Sequence, residues 1–143
     1  MEIDYYNALV TADFYRHMKR SGEKFNRAGA VRKLTAFGLF TAPEVAAIVG
    51  CSVKFVEDKT STPLPESNRH AWKLSALDAM VHIAWNHKHK QDITSLVKHI
   101  VSDGNSIRAI SELTGVPKDT LRGITYGRND MGVLRATSDT PSG

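Results

Sequence analysis

A short pattern built around a glycine occurs twice in the chain and constrains its fold more than any other feature. In the second copy, residues 106–128 (SIRAISELTGVPKDTLRGITYGR), apolar side chains recur at helical spacing on both sides of Gly115. Ser106 is a hydroxyl N-cap, Gly115 is a residue that can end a helix in the left-handed conformation, and Pro117 suits the first turn of a new helix. The stretch therefore predicts two short helices joined by a tight turn.

The first copy centres on Gly50, 65 residues earlier. Thr41 and Glu44 form a predicted capping box, and Pro43 falls in the first helical turn, so the helix start is well specified. Two matches with the same spacing predict a tandem repeat. Counted from the glycine, the shared positions are five before (Val45, Ile110), four before (Ala46, Ser111), one after (Cys51, Val116) and six after (Val56, Leu121).

The spacing in the second copy resembles the helix-turn-helix of bacterial and phage transcription repressors, and LTGVPKDTLRGITYGR is similar to the head-piece of lac-repressor-type regulators. The resemblance covers about 23 of 143 residues, and Ser111 departs from the alanine that is usual in such motifs. It implies that the second helix of each pair lies in the major groove of double-stranded DNA. The implied contacts are with bases for Lys118, Thr120 and Arg122, with phosphates for Ser106, Tyr126 and Arg128, and with DNA more generally for Thr125, Ser52, Val53 and Lys54.

Charge is unevenly distributed along the chain. The net charge is +4, and seven basic residues against one acid, Glu23, lie between Arg16 and Lys33. Each cation that replaces a counterion on DNA favours binding, whereas a carboxylate near phosphate opposes it. Glu57 and Asp58 offset the lysines of the first copy, so the second copy is the better predicted base reader. The first copy is expected either to bind through the preceding basic segment, at Arg27, Arg32 and Lys33, or to be partly a structural repeat.

The whole chain is predicted to be all-α, with two tandem trihelical helix-turn-helix units joined by a long central helix. No alternation of apolar residues predicts a strand. Apolar residues at helical spacing predict an N-terminal helix with Phe14 facing inward, and a helix over 67–88 with Trp85 in its apolar stripe. The expected organisation is an N-terminal helix and first unit (1–62), a linker and connecting helix (63–90), a second unit (91–136) and a flexible tail (137–143).

The composition, with 41% hydrophobic and 24% charged residues, is that of a soluble globular protein. No apolar run approaches 18 residues, and the N-terminus opens with acids rather than lysines, so neither a membrane span nor a signal peptide is predicted. A single cysteine cannot form an internal disulfide. These features predict a cytoplasmic protein, in a bacterial host cell if the resemblance holds, without a cofactor.

The expected function is sequence-specific regulation of transcription, most simply by repression, with no enzymatic activity. The two-motif architecture resembles the immunity repressors of some temperate phages of actinobacteria, which implies one chain on an asymmetric site or a homodimer on a palindrome. The alternatives are a helical protein-interaction module and the DNA-binding part of a recombination or excision system. A metal site would have to use His82, His87, His89 and His99, which have no Cys or acid at ligand spacing.

Overall fold

A computed structural model describes residues 2–60, 62–66, 69 and 72–126. These residues form α-helices and no strands, which confirms the all-α prediction. The chain divides into two compact parts, unit 1 (Met1–Asn68) and unit 2 (Arg69–Gly143). The helices are α1 (Tyr5–Ser21), α2 (Arg27–Ala36), α3 (Ala42–Val49) and α4 (Val53–Lys59) in unit 1, and α5 (Leu77–Lys88), α6 (Thr94–Ser102), α7 (Ile107–Thr114) and α8 (Lys118–Tyr126) in unit 2.

Local sequence sets the ends of the helices in unit 1. The Asp4 carboxylate accepts from the Asn7 amide and caps α1, which ends at Gly22 in the left-handed conformation. The Asn26 side chain accepts from the Gly29 amide and starts α2. At Thr41 both halves of the predicted capping box are present, and they start α3.

The core of unit 1 forms where α1 packs on α2 and α3, and α4 packs on the same two helices. Because α1 turns its 8, 9, 12 and 15 positions inward, Tyr15 is buried and Phe14 is 54% exposed. The prediction that Phe14 faces inward is therefore wrong by one position. The largest fully buried side chains here are Leu9, Val31, Leu34, Phe40 and Ile48.

Unit 2 repeats this order of packing: α5 packs on α6 and α7, and α8 packs on the same two helices. Asn105 is a buried polar residue that braces the loop between α6 and α7. Its side-chain amide donates to the Ile100 carbonyl at 2.8 Å, and its side-chain oxygen accepts from the Lys73 amide at 2.8 Å. The largest fully buried side chains are Leu77, Met80, Ile83, Ile100, Ile110, Leu113 and Leu121.

Two architectural predictions differ from the structure. The predicted helix over 67–88 begins later than expected. Trp72 and Lys73 are not helical, and a 3₁₀ turn at Leu74–Ala76 leads into α5. This shorter helix packs on α6 and α7, and the described part of each unit contains four α-helices. Trp85, expected in the apolar stripe of that helix, is 44% exposed and its ring lies against His89. Residues 67, 68, 70 and 71 and the predicted tail at 137–143 lie outside the described residues.

Candidate nucleic-acid interface

Each unit contains a pair of helices joined by a glycine turn, and we call α3–α4 and α7–α8 the glycine-turn pairs. The first helix of each pair has eight residues, and the second begins three residues after the glycine. A hydroxyl N-cap stands nine residues before each glycine: Thr41 accepts from the Glu44 amide, and Ser106 from the Ala109 amide. The two pairs therefore have the same register along the chain.

The turns themselves are alike. Gly50 has φ +86° and Gly115 has φ +80°, a region that is costly for residues with a Cβ atom. Each glycine amide donates to the carbonyl four residues earlier, over 2.8 Å to Ala46 and 3.0 Å to Ser111. Both first helices thus end in the same hydrogen-bonded left-handed turn.

Burial follows the shared spacing at most positions. Five residues before the glycine, two before it and six after it, both copies place a fully buried apolar side chain. The copies differ one residue after it, where Val116 is fully buried and Cys51 is half-buried, and four before it, where Ser111 is half-buried. Ile124, expected in the core, is also half-buried. The matched buried pairs are Val45 and Ile110, Ile48 and Leu113, and Val56 and Leu121.

A buried hydroxyl stabilises the turn of the second pair in a way the sequence reading missed. Thr114 is 4% exposed, and its Oγ1 donates to the Ile110 carbonyl at 2.6 Å. The same oxygen accepts from the Val116 amide at 3.3 Å. One side chain therefore satisfies two backbone groups where the helix gives way to the turn.

The outward face of α8 carries the predicted base-contacting residues. Lys118, Thr120 and Arg122 are all exposed. A guanidinium nitrogen of Arg122 lies 3.3 Å from a carboxylate oxygen of Asp119, and these side chains are 51% and 97% exposed. An ion pair this exposed contributes about 0.2–1 kcal/mol, so Arg122 can exchange Asp119 for another anion at small cost.

The other residues predicted in this copy are placed less uniformly. Tyr126 is 70% exposed at the end of α8. Thr125 is half-buried and its hydroxyl donates to the Leu121 carbonyl at 2.8 Å, so the helix itself already uses this donor. Ser106 is half-buried and its hydroxyl is engaged as the N-cap of α7. Arg128 lies outside the described residues.

The corresponding face of α4 has a different chemistry. Ser52, Val53 and Lys54 are exposed, and Ser52 also caps α4 by accepting from the Phe55 amide at 3.0 Å. Glu57 occupies the position that Arg122 has in the second pair, seven residues after the glycine. Val53 and Glu57 line a groove of about 460 Å³ with the start of α3 and residues 62–66 (TPLPE). On α4, Glu57 and the neighbouring residues 62–66 thus occupy the place of the exposed Arg122 on α8.

The basic segment of unit 1 is exposed along α2. Arg27, Arg32 and Lys33 all reach solvent, and the Arg27 guanidinium lies over the Phe25 ring, 5.3 Å from its centroid. Lys19 and Lys24 line a cavity together with Arg27, although the sequence reading did not select them. The sequence signal that could have identified Lys19 and Lys24 is that both lie in the run of basic residues between Arg16 and Lys33.

The histidines of the second unit and the single cysteine were the candidates for an alternative site. His82 and His99 each lie beside an aspartate, and His89 Nδ1 is 2.8 Å from the Trp85 carbonyl. Among the described residues, no group of three or more His, Cys, Asp or Glu side chains is arranged to hold a metal ion. Burial raises the pKa of the Cys51 thiol, and the nearby Arg27 partly opposes this shift. A thiol with a raised pKa is a poor nucleophile at neutral pH.

No family model, curated protein or solved structure matches the chain. None of the helices in the described ranges combines the length and apolar composition required to cross a bilayer. The case for a function therefore depends on the geometry and charge of the glycine-turn pairs.

Proposed function

We propose that this protein is a sequence-specific double-stranded DNA-binding regulator of transcription, and that α8 is its recognition helix. The observation that carries the proposal is the exposure of Lys118, Thr120 and Arg122 together on a helix anchored by buried Leu121. A helix fixed by its inner face and bearing cations on its outer face suits insertion into the major groove.

The residues of α8 have complementary roles in this proposal. Arg122 and Lys118 can donate to the O6 and N7 acceptors of guanine, and the Thr120 methyl group can contact the methyl of thymine. Tyr126 and Arg128 are proposed phosphate contacts, which would set the register of the helix on the duplex. The Ser106 oxygen accepts from its own helix, and its O–H can still donate to a phosphate oxygen beside the amides of the first turn of α7.

Unit 1 is proposed to add affinity more than base recognition. The carboxylates of Glu57 and Asp58 oppose approach to phosphates and offset Lys54 and Lys59 on the same helix. With two unlike glycine-turn pairs, one chain suits an asymmetric operator, whereas two copies of α8 suit a palindrome. A phage-type repressor in the cytoplasm of a bacterial host is the class we favour.

The test is selection of bound sequences from a random DNA pool with the full chain, followed by light scattering on the winning complex. We expect an enriched site, and a loss of affinity of ~10³-fold or more between low and moderate salt if several phosphates are contacted. A long asymmetric site bound by one chain would assign contacts to both units. A short palindrome bound by two chains would assign base reading to one helix pair, and the absence of enrichment would refute the proposal.

A helical protein-interaction module is the second candidate, and the groove on α4 is the observation that favours it. Prolines and carboxylates line this groove, including Pro63, Pro65, Glu57 and Glu66. Such a surface suits a basic partner rather than DNA. An interaction module would show no salt-dependent binding to the DNA pool. A recombination or excision factor would bind DNA but would act at recombination sites rather than at a promoter.

A further inference from the structure

The loop between α1 and α2 forms a pocket that is rich in cations, and we call it the basic corner. Lys19, Lys24 and Arg27 line a cavity of about 400 Å³ together with Gly22, Glu23 and Phe25. Glu23 is the single acid in this lining, and its carboxylate accepts from the Ser21 hydroxyl at 3.2 Å. The lining therefore holds three cations and one carboxylate.

Contacts with the rest of unit 1 hold the basic corner in place. The Lys19 ammonium donates to the Ala47 carbonyl at 3.2 Å, near the end of α3. Its carbon chain covers Gly50 so closely that a Cβ atom there would lie 2.9 Å from Lys19 Cδ. The basic corner is thereby fastened to the turn that leads into α4.

An aromatic ring, that of Phe25, positions the Arg27 guanidinium. The Phe25 ring lies under the Arg27 guanidinium. The same ring also packs against the buried Tyr15 ring, with centroids 5.5 Å apart. This stacking restricts the guanidinium and leaves its N–H groups available to an anion. Arg27 is also close enough to Cys51, in the glycine turn, to affect the thiol electrostatically.

We propose that the basic corner binds a phosphate group of the DNA backbone beside the turn that starts α4. This inference rests on the proposed function and gives unit 1 a defined task within it. Phosphate suits the pocket because a guanidinium and two ammonium groups outweigh the Glu23 carboxylate and can donate to several acceptor oxygens. The backbone is the favoured source because the corner adjoins Gly50 and Cys51, on the edge of unit 1 from which α4 begins.

Salt dependence measures the contact directly. We expect Lys24→Gln and Arg27→Gln each to reduce the slope of log affinity against log salt by up to about 0.9, the full value for the one phosphate contact that they share. Arg20→Gln is the matched control, because it removes one exposed positive charge from the same basic segment but does not line the cavity. Equal slopes for all three variants would overturn the proposal, since only general charge would then matter.

Cys51 supplies an independent readout, because it is the one cysteine of the chain. Iodoacetamide alkylation of the wild type should slow when double-stranded DNA is added, since phosphate at Arg27 cancels the charge that favours the thiolate. Arg20→Gln should show the same slowing, and Arg27→Gln should show much less. Circular dichroism melts of each variant establish that unit 1 remains folded during the reaction.

An inorganic pyrophosphate arm separates the two sources of phosphate. If the full chain fails to bind any DNA but pyrophosphate slows alkylation in the wild type and not in Arg27→Gln, the ligand is a free phosphate compound and the backbone assignment is wrong. If DNA binds with no change in alkylation or in the slopes of the corner variants, the proposed function survives and the basic corner is overturned.

Discussion

Replacing Arg122 by alanine tests the base-reading role of α8 most directly. The side chain is 51% exposed and its one described ion pair is with Asp119, which is 97% exposed. Losing such a pair costs about 0.2–1 kcal/mol, so the melting temperature should change little. A guanine contact is worth about 1–3 kcal/mol of discrimination, which corresponds to roughly 5- to 150-fold in affinity.

The assay is fluorescence anisotropy on the selected site, on the same site with each base pair changed singly, and on random DNA. Arg122→Ala should weaken binding to the selected site and remove the preference at one base pair, with a smaller loss on random DNA. Arg108→Ala is a suitable control. Arg108 lies in α7, is similarly exposed (47%) and pairs with Glu112 of the same helix at 3.1 Å. It should leave base preference unchanged.

An equal loss on selected and random DNA would refute the reasoning and make Arg122 a phosphate contact. A large fall in melting temperature would also refute it, because the side chain would then contribute to folding more than its exposure allows. Preference lost at a base pair in Arg108→Ala but not in Arg122→Ala would transfer the reading role from α8 to α7.

Three further predictions concern unit 1. Gly50→Ala should lower the melting temperature more than Gly38→Ala. Both glycines have positive φ, which costs a residue with a Cβ atom about 1–2 kcal/mol, but only at Gly50 would the new methyl group also meet the Lys19 side chain. Equal shifts would show that the Lys19 side chain moves aside at no cost. Glu57→Arg should strengthen binding to random DNA and steepen its salt dependence, and an unchanged slope would mean that α4 stays away from the duplex. Because burial raises the pKa of Cys51, its alkylation at pH 8 should be slower in the folded protein than in protein unfolded by urea. Unit 1 should also lose stability as pH rises above the ordinary thiol pKa, because the unfolded state then releases the thiol proton while the folded state keeps it. Alkylation at the same rate in folded and unfolded protein would contradict the burial.

The parts of the fold that depend on neighbours in the sequence were predictable. Thr41, Ser106 and the two turn glycines act through atoms within four residues, so their side chains and φ preferences determine where α3 and α7 begin and end. The same applies to the buried positions of the glycine-turn pairs, which recur at helical spacing. Local chemistry was therefore enough to predict both pairs.

What depends on packing between helices was not predictable from one sequence. Phe14 and Tyr15 are adjacent aromatics, and which one is buried depends on how α1 meets α2 and α3 and on Phe25. The non-helical Lys73, just before the 3₁₀ turn that leads into α5, bonds through its amide to Asn105, which lies 32 residues further along the chain. The basic corner likewise combines three cations from a loop and two helix ends, and only the folded chain shows that they share one cavity.

The division of the chain into two units has a consequence for its synthesis. Every helix pairing described above lies within one unit, and unit 1 ends at Asn68. The first four helices can therefore complete their core while the later residues are still being translated, in the N-terminal-first order expected of separate domains. Ribosome-bound chains arrested well after residue 68 should already resist protease in unit 1, and the groove on α4 and the basic corner would be formed before α8 exists.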